Sequence, residues 1–417
     1  MVTLRALFGS DADVLGDRDF QLLLLASLSS PLGASVVSPI ITSLAGPFGV
    51  TATRAGLLLS AFTLPAVVAI PLVGVAADRF GRKPVLATGL AVFGCAGLAV
   101  PLTADFRVAL VLRAVQGVGY TGIGPILITA TGDLFTGERE ATAQGLRFTA
   151  VGASLTVFPL VSGALVAFAW QFPFVLYAVA LPTALAVWLG FSEPTDADGD
   201  RGGDPLALLA RATDRTVLAT LLGRAVPTFL WFVFLTYNSI VIVTGLGGSP
   251  SAAGTLVAVA SVASAVATTQ VGRFTARFGR RLPTFVGVAL AAGGLAVVAV
   301  APSVLAALGG GALVGAGFSV AITLYRSAIT SLTDERLRGG LVSLGESVGR
   351  VGSTAAPVVT GAAVAALKPA GVPAGEGTAV RTTLVATALG CVVLAGLLLL
   401  VGGSATDTTS DPTPADD

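Results

Sequence analysis

A displacement of 198 residues (254 minus 56) lays Gly254 over Gly56, and the register it sets persists along both halves of the chain. Gly272 falls on Gly74, and Arg277-Phe278-Gly279-Arg280 falls on Arg79-Phe80-Gly81-Arg82. Gly315 and Gly317 fall on Gly117 and Gly119, then Pro357 and Gly361 on Pro159 and Gly163. One unbroken register means a duplicated structural unit. The unit is apolar almost throughout, and a membrane protein of two parallel repeats is built to hold a small molecule between its halves.

The apolar content sets the environment. Hydrophobic residues make up 54% of the 417, charged residues only 11%, and the mean hydropathy is +0.88. A water-soluble fold carries about a quarter charged residues. Apolar stretches of about 20 residues, enough for a hydrocarbon core of about 30 Å, recur near 20–44, 54–76, 84–103, 107–133, 141–166, 170–191, 217–242, 251–272, 282–301, 304–330, 340–365 and 380–402. The expected fold is an all-α integral membrane protein of twelve transmembrane helices in two six-helix bundles. Residues 20–191 and 216–402 form the bundles; 1–19 precede them, 192–215 link them and 403–417 follow as an acidic tail. The first 19 residues carry Asp11, Asp13, Asp17 and Asp19 and no apolar core, so no cleavable signal peptide is expected.

Twelve spans put both termini on one side. Of the 24 Lys and Arg residues, 15 fall at the termini or in loops on that side, four opposite (Arg54, Arg107, Lys368, Arg381) and five inside spans. That excess predicts cytoplasmic termini and a plasma-membrane location. The linker and tail, rich in Asp, Thr, Gly and Pro, are expected to lack fixed structure. Only two of the basic residues are lysine. With the acidic soluble ends this fits a salt-adapted, haloarchaeal prokaryote; a GC-rich genome explains the arginine preference equally well. Cys95 and Cys391, in the third and twelfth spans, read as small apolar residues without a disulfide.

Gly74-Val75-Ala76-Ala77-Asp78-Arg79-Phe80-Gly81-Arg82-Lys83 joins spans 2 and 3. Its small residues permit a tight turn and close helix approach, and its basic residues alone would serve topology. The pattern G-x-x-x-D-R-x-G-R-K at this place resembles the signature loop of the major facilitator superfamily. Leu112-Arg113-Ala114-Val115-Gln116-Gly117-Val118-Gly119 resembles the family's fourth-helix motif, and Trp170-Gln171-Phe172-Pro173-Phe174 the start of its sixth helix. The resemblance implies that the loop latches the two halves in the outward-open state, through Asp78, Arg82 and an acid at the end of span 4, Asp133. The second copy has Ala276 where the first has Asp78, so an asymmetric latch is expected. For Arg113 the resemblance implies proton coupling or anion binding, with Gln116 one turn on; a permanent tie to neighbouring carbonyls is the structural alternative.

Ionisable groups inside a bilayer cost about 2.5–3.5 kcal/mol each on insertion scales, so each is a functional candidate. Arg224 and Arg326 stand near span ends and are expected to snorkel. Glu346 and Arg350 lie four apart on span 11 and can pair. The repeat sets Arg147 on span 5 at the depth of Glu346, which is then expected to choose between Arg147 and Arg350. In a chain with no histidine, Glu346 is the best candidate for a proton carrier inside the membrane, with Asp133 and Asp78 as the interfacial alternatives. Gly145, Pro159 and Gly163 on span 5 follow, with substitutions such as Phe158, the family's antiporter motif; Pro357 and Gly361 parallel them on span 11. Close packing of the two helices is the physical reading. Tyr120, Gln144, Thr149, Trp231, Tyr237, Asn238 and Tyr325 are candidates to line a central cavity.

The resemblance therefore implies a monomeric secondary transporter in the lipid bilayer, moving a small-molecule substrate by alternating access with protons as the coupling ion. Export (antiport) of drug-like or other small organic compounds leads; uptake or exchange of an organic anion or metabolite is the alternative. A non-transporting membrane sensor or scaffold is the reading from another class. An enzyme is not expected, because the sequence offers no metal-ligand cluster and no Cys/His or Ser/His set. No cofactor, metal or nucleic acid is expected, and no G-x-x-x-x-G-K-[ST] loop supports ATP-driven pumping.

Overall fold

A chain in hydrocarbon must satisfy its backbone hydrogen bonds within itself, which leaves long helices as the solution for these apolar segments. The computed structural model describes residues 9–193, 210–332, 335–367 and 375–402. Residues 1–8, most of the expected linker and the tail 403–417 lie outside the described residues. Among the described residues twelve helices are long and apolar enough to span a membrane: α1 (Arg18–Ala45), α2 (Leu57–Phe80), α3 (Arg82–Leu102), α4 (Phe106–Leu134), α5 (Gly137–Leu165), α6 (Phe172–Gly190), α7 (Arg215–Gly245), α8 (Pro250–Thr268), α9 (Arg281–Val300), α10 (Val304–Ser331), α11 (Gly339–Leu367) and α12 (Gly377–Val401). They form two six-helix bundles. Both cysteines are free.

The duplication reaches the local chemistry of helix ends and crossings. Thr51 caps the short helix leading into α2, and Ser249, 198 residues on (249 minus 51), caps α8. Asp105 caps α4 and Ser303 caps α10 in the same relation. Such caps satisfy amides that a helix start leaves open. The turns after α2 and before α9 place Gly81 at φ 89° and Gly279 at φ 68°, where a side chain is strained. Gly117 lies against the Phe62 carbonyl, and Gly315 against that of Ala260, its counterpart. Missing side chains thus bring α2 onto α4 and α8 onto α10, backbone to backbone.

The two bundles meet along a polar seam on the side away from the termini. Ser38 on α1 donates to the Leu235 carbonyl on α7 (2.7 Å) and accepts from Asn238 (2.7 Å), while Thr42 meets Ser239 at 2.8 Å. Ser60 and Thr63 on α2 reach Thr354 on α11, at 2.9 Å each. Ser251 and Ser261 on α8 donate to the carbonyls of Gly163 (2.9 Å) and Leu155 (3.1 Å) on α5. Pro159 presents its carbonyl to Gly254.

Toward the termini the halves part. Gly74 on α2 and Gly145 and Gly152 on α5 have open space where a Cβ would stand. The expected packing role of Gly145 is therefore corrected: it lies on the parted stretch of α5, and Pro159 and Gly163 carry the contact. The molecule opens on the side that bears its termini and is closed on the other.

Candidate functional site

The parted halves expose a set of charges contributed by α7, α10 and α11. Glu346 on α11 is its one carboxylate among the described residues. Its Oε1 accepts from Arg224 Nη2 on α7 at 3.0 Å and from Arg326 Nε on α10 at 2.9 Å. Arg224 also donates to Thr228 Oγ1 (2.7 Å). Gly349, one turn from Glu346, leaves the space that the Arg224 guanidinium fills. This corrects two expectations. Arg224 does not snorkel but turns inward and is buried, because a partner carboxylate outweighs the reach to water. Glu346 is engaged by Arg224 and Arg326 rather than by Arg147 or Arg350.

Arg350, one turn above Glu346, crosses to the other half. Its Nη2 donates to Tyr120 Oη on α4 at 3.1 Å, and its guanidinium lies 5.1 Å from the Tyr120 ring centroid. Tyr120 stands in an aromatic wall with Phe62 and Phe93. A guanidinium held by a phenol can be claimed from it by a ligand.

Two arginines within the spans of the first half, Arg113 and Arg147, are held within it. Arg113 is fully buried on α4. It donates to the carbonyls of Leu58 and Gly33, to Gln116 Oε1 and to Tyr177 Oη, and its guanidinium lies 4.7 Å from the Phe62 ring centroid. These contacts tie α1, α2, α4 and the first turns of α6, which carry Tyr177, into one unit. Arg147 on α5 donates to Ser27 Oγ on α1 (3.1 Å) and to Gln144, which itself donates to the Ile128 carbonyl. Thr149 is exposed, bonded to the Gly145 carbonyl.

The remaining cavity candidates divide. Trp231 stacks on Phe318, with ring centroids 4.8 Å apart and planes 18° apart, joining α7 to α10. Tyr237 is buried in the core, and Asn238 belongs to the closed seam. Tyr325 packs against Gly223 at the termini end of α7 and α10, away from the central opening.

In the signature loop Arg82 is paired with Asp133. Asp78 and Arg79 are exposed at the α2–α3 turn around Gly81, and Lys83 is half-buried beside them. The residue missed by sequence reasoning is Glu193, just past α6. Its carboxylate accepts from the backbone amides of Arg82 (2.5 Å) and Lys83 (2.9 Å), capping α3 from 111 positions away. A carboxylate at a helix start is favoured by the amide dipoles there. Its only sequence signal was an acid at the edge of the linker.

Known proteins share both the sequence pattern and the arrangement of helices. The sequence profile described as Major Facilitator Superfamily matches residues 23–244 and 220–415. The chain is 30% identical over 150 residues to the bacillibactin exporter of Bacillus subtilis (strain 168), covering 34% of this chain and 37% of that protein. It is 30% identical over 177 residues to the chloramphenicol resistance protein CraA of Acinetobacter baumannii, covering 41% of each. It is 26% identical over 241 residues to the multidrug transporter MdfA of Edwardsiella piscicida, covering 54% of this chain and 56% of that one. These matches span roughly a third to just over half of those proteins' own length. Among solved structures, a bacterial homologue of the human lysosomal transporter Spinster, inward-facing and occupied, superposes with a TM-score of 0.79 at 20% identity, over 95% of this chain and 98% of that one. A mutant of the nucleoside transporter NupG gives 0.76 at 12% identity, over 92% and 100%. Likeness at these identities speaks to the fold.

Proposed function

The chain belongs to the Major Facilitator Superfamily, and we propose that it is a secondary transporter of the plasma membrane that exports a small organic compound in exchange for protons. The observation that carries this reading is Glu346, one carboxylate oxygen shared by two guanidiniums in the opening between the halves. Protonation removes the charge that holds Arg224 and Arg326. Three helices of the second half, α7, α10 and α11, are then untied together. A group whose protonation loosens the packing of one half is what coupling to alternating access needs. The relatives named as exporters and drug transporters support the outward direction, and the basic loops support cytoplasmic termini. In that orientation the described conformation opens to the cytoplasm, ready to load. Asp78, Arg82 and Asp133 would then close that side when the halves rock together. We read the working unit as a monomer.

A second reading rests on a separate observation. Arg224, Arg326 and Arg350 face a single Glu346, so the opening carries a basic excess that suits an organic anion. An anion that took Arg326 and Arg350 would free Glu346 to accept a proton, and the two would cross together. Thermal-shift screening of the purified protein against lipophilic cations, organic anions, sugars and amino acids identifies a ligand. A ligand at 100 times its Kd stabilises by about 2.7 kcal/mol. Reconstitution in vesicles with a trapped pH dye then separates the readings. Antiport moves protons against the ligand and anion cotransport moves them with it. Counterflow of ligand without any proton movement would remove both forms of coupling, and absence of counterflow would favour a sensor.

A further inference from the structure

We propose that a cleft at the termini side of the second bundle, between α7, α9, α10 and α12, binds the phosphate group of an anionic phospholipid. The internal repeat supplies the contrast. In the first half, three carboxylates surround the basic turn: Asp78 and Asp133 in the loop and at the end of α4, and Glu193 on the first amides of α3. The second half keeps the cations but has no acid at the matching positions. Arg280 stands where Arg82 does (82 plus 198), but Asp133 is replaced by Ser331 (133 plus 198) and Asp78 by Ala276 (78 plus 198). Arg280 Nη1 accordingly donates to Ser331 Oγ at 2.8 Å, where its counterpart meets a carboxylate. Glu193 caps α3, and the position matching it in the second half is Cys391 (193 plus 198).

Beside this turn lies a cleft of about 40 Å³ whose described lining contains no acid. Arg280 and Thr220 give it a cationic and a hydroxyl donor, and Leu398 and Leu399 give it an apolar wall. Tyr325 also lines it. That side chain is 3% exposed and its hydroxyl has no hydrogen-bond partner. A buried hydroxyl left unmatched costs about 1–3 kcal/mol, so it marks a place where an acceptor is wanted. A guanidinium, a helix start and a hydroxyl converging beside leucines at the membrane boundary match a lipid phosphate with its acyl chains alongside α12. A free phosphate offers the same oxygens without the chains, and the apolar wall favours the lipid.

The test uses the full chain in neutral detergent, titrated with phosphatidylglycerol or phosphatidylcholine and read by native mass spectrometry and thermal unfolding. Phosphatidylglycerol should bind and raise the unfolding temperature, and phosphatidylcholine should do neither. Removing one charged donor with Arg280→Ala should weaken binding by at least about tenfold. Arg280→Lys should recover part of it, and Tyr325→Phe, which keeps the packing, should weaken it severalfold. Equal response to both lipids, or an unchanged response in Arg280→Ala and Tyr325→Phe, overturns the proposal. If millimolar inorganic phosphate displaces the lipid completely, the lipid assignment falls in favour of a free oxyanion site. A chain ended after Gly402 should bind as the full chain does; binding that appears only after this truncation would show the acidic tail filling the cleft instead.

Discussion

Glu346→Gln is the perturbation that most sharply divides coupling from transport. Its carboxylate sits 3.0 Å from one guanidinium nitrogen and 2.9 Å from another. Charge centres about 4 Å apart interact by about 4 kcal/mol at an effective dielectric of about 20, so two such partners give about 8 kcal/mol before desolvation is counted. Desolvation takes back most of that, and removing one member of a buried pair typically leaves a loss of about 3–5 kcal/mol. Glutamine keeps a carbonyl acceptor, and Arg326, 52% exposed, regains hydration. The expected loss is therefore about 2–3 kcal/mol, which lowers the unfolding temperature without preventing folding. For transport, a gradient of one pH unit supplies about 1.36 kcal/mol per proton, an accumulation ratio of about 10 at one proton per substrate. In vesicles, Glu346→Gln should bring that ratio to about 1 while equal-pH counterflow continues. A variant that still accumulates substrate tenfold under the gradient refutes the role given to Glu346.

Other expectations follow from contacts already described. Arg113→Lys keeps the charge but not the planar fork that reaches Leu58, Gly33, Gln116 and Tyr177; it should cost about 3 kcal/mol or more, read as a lower denaturation midpoint in detergent. Gly315→Ala drives a methyl into the Ala260 carbonyl and Gly117→Ala one into that of Phe62, so each should destabilise by about 1–3 kcal/mol or more. By contrast Gly145→Ala, in open space, should be stable. Glu193→Gln should weaken the cap on α3 by about 0.5–2 kcal/mol, seen as faster hydrogen exchange at the amides of Arg82 and Lys83 with unchanged protection of α9.

The architecture was legible because it is written in residues whose effect is local. Gly117 and Gly315 fix crossings by having no side chain, and the caps at Asp105 and Ser303 act within a few residues. The pairing of Arg82 with Asp133 is one that the family resemblance implied, not one that the residues alone gave. What could not be read depends on three helices meeting. Depth along α7 suggested that Arg224 reaches out to water, but only the approach of α11, with Gly349 making room, shows that it turns inward to Glu346. Arg147 matched Glu346 in depth, yet Ser27 and Gln144 already hold it on the far side of the opening. Glu193 was out of reach because its partners are amides, which leave no trace in side-chain pattern.

The seam between Ser38 and Asn238, Thr42 and Ser239, and Thr354 and its partners consists of hydroxyls and one amide, with no ion pair among the described residues. Hydrogen bonds between membrane helices average about 0.6 kcal/mol, so the whole seam amounts to about 4 kcal/mol. That corresponds to a population bias of about a thousandfold between closed and open, and a ligand preferring the open form by the same factor would bring the two into balance. A gate held by ion pairs would need far more. Hydroxyl chemistry thus makes this barrier shallow enough for binding of an ordinary small molecule to set the direction in which the protein faces.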